Sequence, residues 1–216
     1  LKPLSTVTGI VERRHTLPIL SNVLIKKDGD ALSFTGTDLE IQISSQQSEG
    51  FSGSDFAITV AAKKMSDILR AIPDKTVVTL EEMEGRLTIK AGKSRFALQT
   101  LPAADFPELA VDTNTRATIR LPQGQLKALL GRVQFAMAHQ DIRYYLNGLF
   151  MVTDGNLLKL IATDGHRLGF VSTELATSFE KNEVILPRKT ILELFKLLAD
   201  VDDEVTIDIA ANQVKF

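Results

Sequence analysis

The chain has no cysteine, which excludes a disulfide framework and any thiolate metal site and suits a reducing, cytoplasmic setting. It also lacks tryptophan and has only two tyrosines, so the adjacent pair Tyr144-Tyr145 holds every phenolic side chain of the molecule. No apolar run reaches the roughly 18 residues that a membrane-spanning helix requires, and no signal-peptide pattern opens the chain. His-Glu-x-x-His, Gly-x-Ser-x-Gly and paired-carboxylate signatures are all missing, so nothing commits these residues to catalysis. Ala91-Gly92-Lys93-Ser94 resembles the end of a phosphate-binding loop, but Leu87 stands where the first glycine is needed and the stretch lies between two strands. It reads as a basic hairpin.

What is present is enough to build real cores: 44% of the 216 residues are hydrophobic, which suits one large or two ordinary domains and argues against disorder. The chain opens on leucine and not methionine, and is expected to be a piece of a longer protein. Apolar residues at helical spacing predict helices over 1–14, 61–72, 122–138 and 187–199. Alternating stretches predict strands over 23–27, 32–35, 41–44, 76–80, 86–90, 95–100, 158–162 and 168–171. Such alternation belongs to antiparallel sheets with one wet face, so the fold class is α+β with helices packed on one face of the sheets.

The order of elements then repeats. Leu126-Lys127-Ala128-Leu129 echoes Leu1-Lys2-Pro3-Leu4, Asn147 echoes Asn22, and Asp154-Gly155 echoes Asp28-Gly29. Thr163-Asp164 echoes Thr37-Asp38, Lys189 echoes Lys64, and Val205 echoes Val78, at steps of 125 to 127 residues. A nearly constant step over six landmarks predicts two copies of one fold, over 1–112 and 117–216, joined by a polar linker near Asp112 to Thr115.

The net charge of −2 conceals a segregation. Each of the four helical stretches carries +2, which leaves −10 on the strands and loops. Lys63-Lys64 and Arg188-Lys189 fall in the first turns of their helices, where the helix dipole disfavours cations. A local rule broken twice at equivalent places points to a use for the charge, and phosphate contact is the obvious one. Solvated surface lysines explain the charge equally well if nothing else is considered.

Two short stretches concentrate polar and aromatic groups. In Ala162 to Leu168, Asp164-Gly165 supplies a turn between strands and leaves His166 and Arg167 at its tip. In Ala138 to Gly148, Tyr144 and Tyr145 with Arg143 and Gln140 are the groups that stack on the bases of single-stranded nucleic acid. Leu146, Leu168 and Thr163 beside Arg143, His166 and Arg167 would instead make an apolar notch for a peptide with hydrophobic anchors. His139 and His166 with Asp141 and Asp164 leave a metal-dependent phosphodiesterase open, as the basic helices leave a DNA-binding module that does not encircle its ligand.

Several long motifs carry a resemblance: Thr16 to Leu20, Thr35 to Glu40, Ser94 to Phe96 with Thr100 to Pro107, Phe135 to Gly148, Ala162 to Leu168, and Pro187-Arg188-Lys189. Together, over nearly the whole chain, they closely resemble the beta subunit of bacterial DNA polymerase III, the family of replicative sliding clamps. The resemblance implies three copies of the clamp fold in a full-length chain and a head-to-tail homodimer ring. Helices would line a basic hole and sheets would form the outer wall. Relative to that pattern a strand is missing before Leu1, the second copy is cut short, and the third copy is absent.

The resemblance further implies a non-catalytic processivity factor, with no metal and no cofactor, that encircles double-stranded DNA. It places Arg14, Lys63, Gln140, Tyr144 and Tyr145 on DNA-contacting positions, the last three on a loop that touches the template single strand. It places Arg143, Leu146, Thr163, Gly165, His166, Arg167 and Leu168 on the pocket for clamp-binding peptides. The implied partners are the DNA polymerase III catalytic subunit, the clamp loader, other polymerases and repair factors.

Overall fold

A computed structural model describes residues 2–11, 16–48 and 50–216. It contains two compact units, Leu1–Leu109 and Ala110–Phe216. In the first unit the order is α1 (Lys2–Val7), β1 (Asn22–Asp28), β2 (Ala31–Thr37), β3 (Gln42–Gln47), β4 (Phe56–Ala61), α2 (Ala62–Ala71), β5 (Val78–Met83), β6 (Arg86–Ala91) and β7 (Ser94–Pro102). The strands form one antiparallel sheet in the order β3-β2-β1-β4-β7-β6-β5. Both helices pack on it through Leu4, Val7 and Met65, closing a core with Val23, Ile25, Val60, Leu87 and Ile89. Burying each such side chain contributes about 1.5–3 kcal/mol, which outweighs the modest helix propensity of segments this short.

The second unit runs β8 (Ala117–Pro122), α3 (Gln123–Val133), β9 (Gly148–Thr163), β10 (Leu168–Pro187), α4 (Arg188–Leu197), β11 (Glu204–Ile209) and β12 (Val214–Lys215). Its core gathers Ile119, Leu126, Leu130, Val133, Leu149, Leu160, Ile191 and Ile207. The aromatic ring of Phe195 on α4 fills the space left by Gly131 on α3, and Lys127 sits over the same ring at 5.6 Å.

One step of 126 residues relates the two units. It carries α2 (62–71) onto α4 (188–197) and β5 (78–83) onto β11 (204–209) at both ends. It also carries the pairs Asn22↔Ala61 and Thr37↔Gln42 onto Gly148↔Pro187 and Thr163↔Leu168. The steps of 125 and 127 expected at single landmarks are therefore corrected to 126: Lys63, not Lys64, is the counterpart of Lys189. The long strands β9 and β10 each hold two of the shorter strands of the first unit. Between Glu174 and Asn182 the pairing of β10 slips, at the place of the loop between β3 and β4.

Two further expectations are corrected. α1 ends at Val7, not near Arg14, and so carries only Lys2. The hydroxyls of Ser5 and Thr6 donate to the carbonyl of Lys2 and that of Thr8 to the carbonyl of Ser5, competing with the helical backbone, and Gly9 follows. β4 was not expected at all. It runs straight into α2 with no intervening loop, so its apolar residues merge with those of the helix.

Candidate functional site

Every residue expected on the peptide pocket belongs to the second unit, and the structure brings them together around two turns. The first turn joins β9 to β10. The Thr163 hydroxyl donates to the carbonyl of Arg167 at 2.7 Å and accepts the amide of Gly165 at 3.1 Å. The Asp164 carboxylate accepts the amides of His166 and Arg167, both at 3.0 Å, and the Arg167 Nε at 2.9 Å. These donors, the backbone amides above all, hold the Asp164 carboxyl below its ordinary range. Gly165 sits at φ +87°, a conformation that glycine adopts without a Cβ clash.

The second turn lies between α3 and β9. Its backbone is pinned by Asn147, whose amide oxygen accepts the Asp141 N–H at 2.9 Å and whose amide nitrogen donates to the Asp141 carbonyl at 2.7 Å. Within it a single 3-10 turn, Tyr144–Leu146, is closed by the Leu146 N–H donating to the Arg143 carbonyl at 2.9 Å. Asp141 in turn accepts the backbone N–H of Arg143 at 2.8 Å and its Nε and Nη2 at 3.0 and 2.8 Å. That guanidinium, followed by the Arg143 amide, pulls the Asp141 carboxyl down to about 2, and the same pairing raises the pKa of Arg143.

The two turns meet where Arg143 lies over Gly165. A Cβ built on Gly165 would stand 3.4 and 3.6 Å from the two terminal nitrogens of Arg143. Next to this contact, Leu168 is 66% exposed, and along β10 Phe170 shares its outward face while Gly169 and Val171 turn inward. Arg167 stacks over the exposed ring of Phe135 at 5.6 Å. Leu146, expected as a second apolar wall, is buried, while Leu168, Phe170 and Phe135 are exposed. The two phenylalanines were missed in the sequence, although Phe170 was detectable as the residue two places beyond Leu168 in an alternating strand.

The residues expected on DNA are less concentrated. Arg14 lies outside the described residues. Lys63 is exposed in the first turn of α2, with Asp67 one turn along at 3.7 Å. Gln140 adopts φ +58° and, with His139, Arg188 and Lys189, borders an open depression of about 380 Å³ at the start of α4. Tyr144 and Tyr145 are both exposed, their rings edge to face with centroids 5.8 Å apart. They are therefore presented to solvent. No acidic residue occupies the first turn of α2, α3 or α4, so the amino ends of these helices stay electropositive.

The alternative constellation of His139, His166, Asp141 and Asp164 does not assemble. Among the described residues no three histidine or carboxylate side chains converge as a metal site, and both aspartates spend their oxygens on arginine and backbone amides. No helix among the described residues is long and apolar enough to cross a membrane.

Comparison with known proteins agrees with this geometry. Residues 1–110 match the family model of the DNA polymerase III beta subunit, N-terminal domain, and residues 120–216 that of its central domain. The beta sliding clamp of Pseudomonas aeruginosa is 43% identical over 216 residues, covering all of this chain and 59% of the relative. That of Escherichia coli K12 is 41% identical over 215 residues, covering all of this chain and 58% of the relative. Among solved structures, a sliding clamp (DNA polymerase III subunit beta) from P. aeruginosa bound to griselimycin superposes with a TM-score of 0.92 at 43% identity, over 97% of this chain and 57% of that one. The pol III beta of Caulobacter crescentus superposes with a TM-score of 0.89 at 37% identity, over 97% of this chain and 58% of that one. The chain thus spans about three fifths of the length of these relatives.

Proposed function

Because the chain belongs to the family of the DNA polymerase III beta subunit, we propose that it forms two of the modules of a DNA sliding clamp, a processivity factor without catalytic activity of its own. The full-length protein closes as a homodimer ring around duplex DNA in the cytoplasm. A duplex carries one negative charge per about 1.7 Å of axis, so cations on the helices meet phosphate at every position along it. Such contacts are independent of sequence and individually weak, and the ring slides. Enclosure, not tight binding, keeps it on DNA. Lys63 and Arg14 contact the duplex, and Gln140, Tyr144 and Tyr145 contact the template single strand.

The observation that carries this reading is the site where Arg143 covers Gly165 beside the outward Leu168, in a fold whose relative is described as bound to griselimycin. Leu168, with Phe170, supplies an apolar anchor surface, Gly165 lets the Arg143 guanidinium lie close over the turn, and Arg143, His166 and Arg167 border the surface with donors. Thr163 and Leu146 hold the two turns in place. The polymerase catalytic subunit, the clamp loader, other polymerases and repair factors dock here through short hydrophobic peptides.

The test is calorimetric titration of griselimycin into the full-length protein and its Leu168→Ala variant. Loss of about 1 to 3 kcal/mol of binding is expected for an anchor residue, and unchanged affinity would place the pocket elsewhere. A phosphodiesterase reading makes the opposite demand. Strand cleavage of labelled DNA with divalent ions, abolished by His166→Ala, would replace the clamp.

A further inference from the structure

Asp141 has no part in the binding surfaces described so far, yet it fixes the group that joins them. Arg143 stands on a surface turn, and an arginine left free there would lose side-chain entropy on being ordered by a ligand. The Asp141 carboxylate orders it beforehand by accepting the guanidinium Nε and Nη2 at 3.0 and 2.8 Å, and it also accepts the Arg143 backbone N–H at 2.8 Å. Asp141 is itself held at both its N–H and its carbonyl by the Asn147 amide. Asn147 is anchored in turn, its carbonyl accepting the first amide of α4, that of Arg188, at 2.9 Å. A continuous series of bonds therefore runs from α4 through Asn147 and Asp141 to the guanidinium over Gly165.

The carboxylate also sets the charge of the site. Two arginines border it, and each is matched by one carboxylate, Arg143 by Asp141 and Arg167 by Asp164. The bordering ion pairs sum to no net charge, and the Nε and one side of Nη2 of Arg143 are already occupied. An acidic ligand meets a guanidinium whose charge Asp141 already matches, with Nη1 and one hydrogen of Nη2 left to donate, whereas an uncharged apolar ligand gives up no ionic attraction there.

We propose that Asp141 is a positioning and specificity residue of the peptide site: it holds Arg143 over Gly165 and biases the site toward uncharged hydrophobic peptides over acidic ones. This rests on the peptide-docking reading above.

The experiment titrates the full-length protein with two synthetic peptides that share leucine and phenylalanine anchors and differ only in carrying asparagine or aspartate between them. Asp141→Asn is expected to weaken the asparagine peptide and to move the affinity ratio toward the aspartate peptide by roughly two- to fivefold, the range of an exposed ion pair. Asp141→Glu, which keeps the charge, restores the wild-type ratio. Equal weakening of both peptides by Asp141→Asn, with the ratio unmoved, would reduce Asp141 to a structural role and overturn the proposal. Failure of the wild-type protein to bind either peptide or griselimycin would overturn the docking reading, and the proposal with it.

Discussion

Leu39 and Gly165 occupy the same backbone position in the two units, at φ +78° and +87°. Their turns share four hydrogen bonds. Thr37 Oγ1 donates to Ile41 O at 2.9 Å as Thr163 Oγ1 does to Arg167 O at 2.7 Å, and both hydroxyls accept the amide two residues on at 3.1 Å. Asp38 accepts the amides of Glu40 and Ile41 as Asp164 accepts those of His166 and Arg167. The duplicated Thr-Asp pair thus forces a left-handed residue next. The first unit accepts leucine there, while the second, which must pass under Arg143, has glycine.

Gly165→Ala is accordingly expected to act twice. The left-handed conformation costs a residue with a Cβ about 1 kcal/mol of unfolding free energy, and the new methyl group meets the Arg143 guanidinium at 3.4 Å. Urea denaturation and griselimycin titration check the two effects separately. A variant that keeps wild-type affinity would show that Arg143 has no fixed place over this turn.

Gly148 starts β9 against Pro187, and a Cβ there would lie 2.5 Å from the carbonyl oxygen of Leu186. Neighbouring backbone would have to move. Gly148→Ala is expected to destabilise the second unit by about 1 to 3 kcal/mol, the usual range for overpacking. A change in urea midpoint indistinguishable from wild type would refute the close approach.

The carboxylates of Asp141 and Asp164 predict acid sensitivity. Both are depressed in the folded state, Asp141 to about 2, so their contribution is complete above the unfolded value near 4 and is lost as pH falls from there through the folded one. The carboxyl carbon of Asp141 is expected to remain ionised by NMR at about pH 3. The stability gap between wild type and Asp141→Asn should narrow over the same interval. A midpoint near the ordinary aspartate value would mean that Arg143 is not bound to it.

Much of this was legible in the residues. The repeat, the antiparallel class and the Asp164-Gly165 turn follow from spacing and glycine placement, and Lys63 and Arg188 do fall in first helical turns. β4 escaped because the strand Phe56–Ala61 abuts α2 without a breaker, so periodicity of two and of 3.6 overlap in one apolar run. Apolar spacing alone carries α1 on toward Arg14, because it does not register the hydroxyls of Ser5, Thr6 and Thr8 that compete for the helical carbonyls. The Asn147–Asp141–Arg143 series was invisible for a different reason. Its members lie two and six residues apart in a turn with no period, and only folding aims them at one another.

The encircling claim is tested most directly by assembling the full-length protein on closed circular DNA, raising the salt, and measuring retention before and after a single linearising cut. Enclosure predicts that protein stays on the circle in salt and leaves once an end is opened, because weak phosphate contacts alone are lost steeply as salt rises. Equal, salt-sensitive loss from circular and linear DNA would contradict the account.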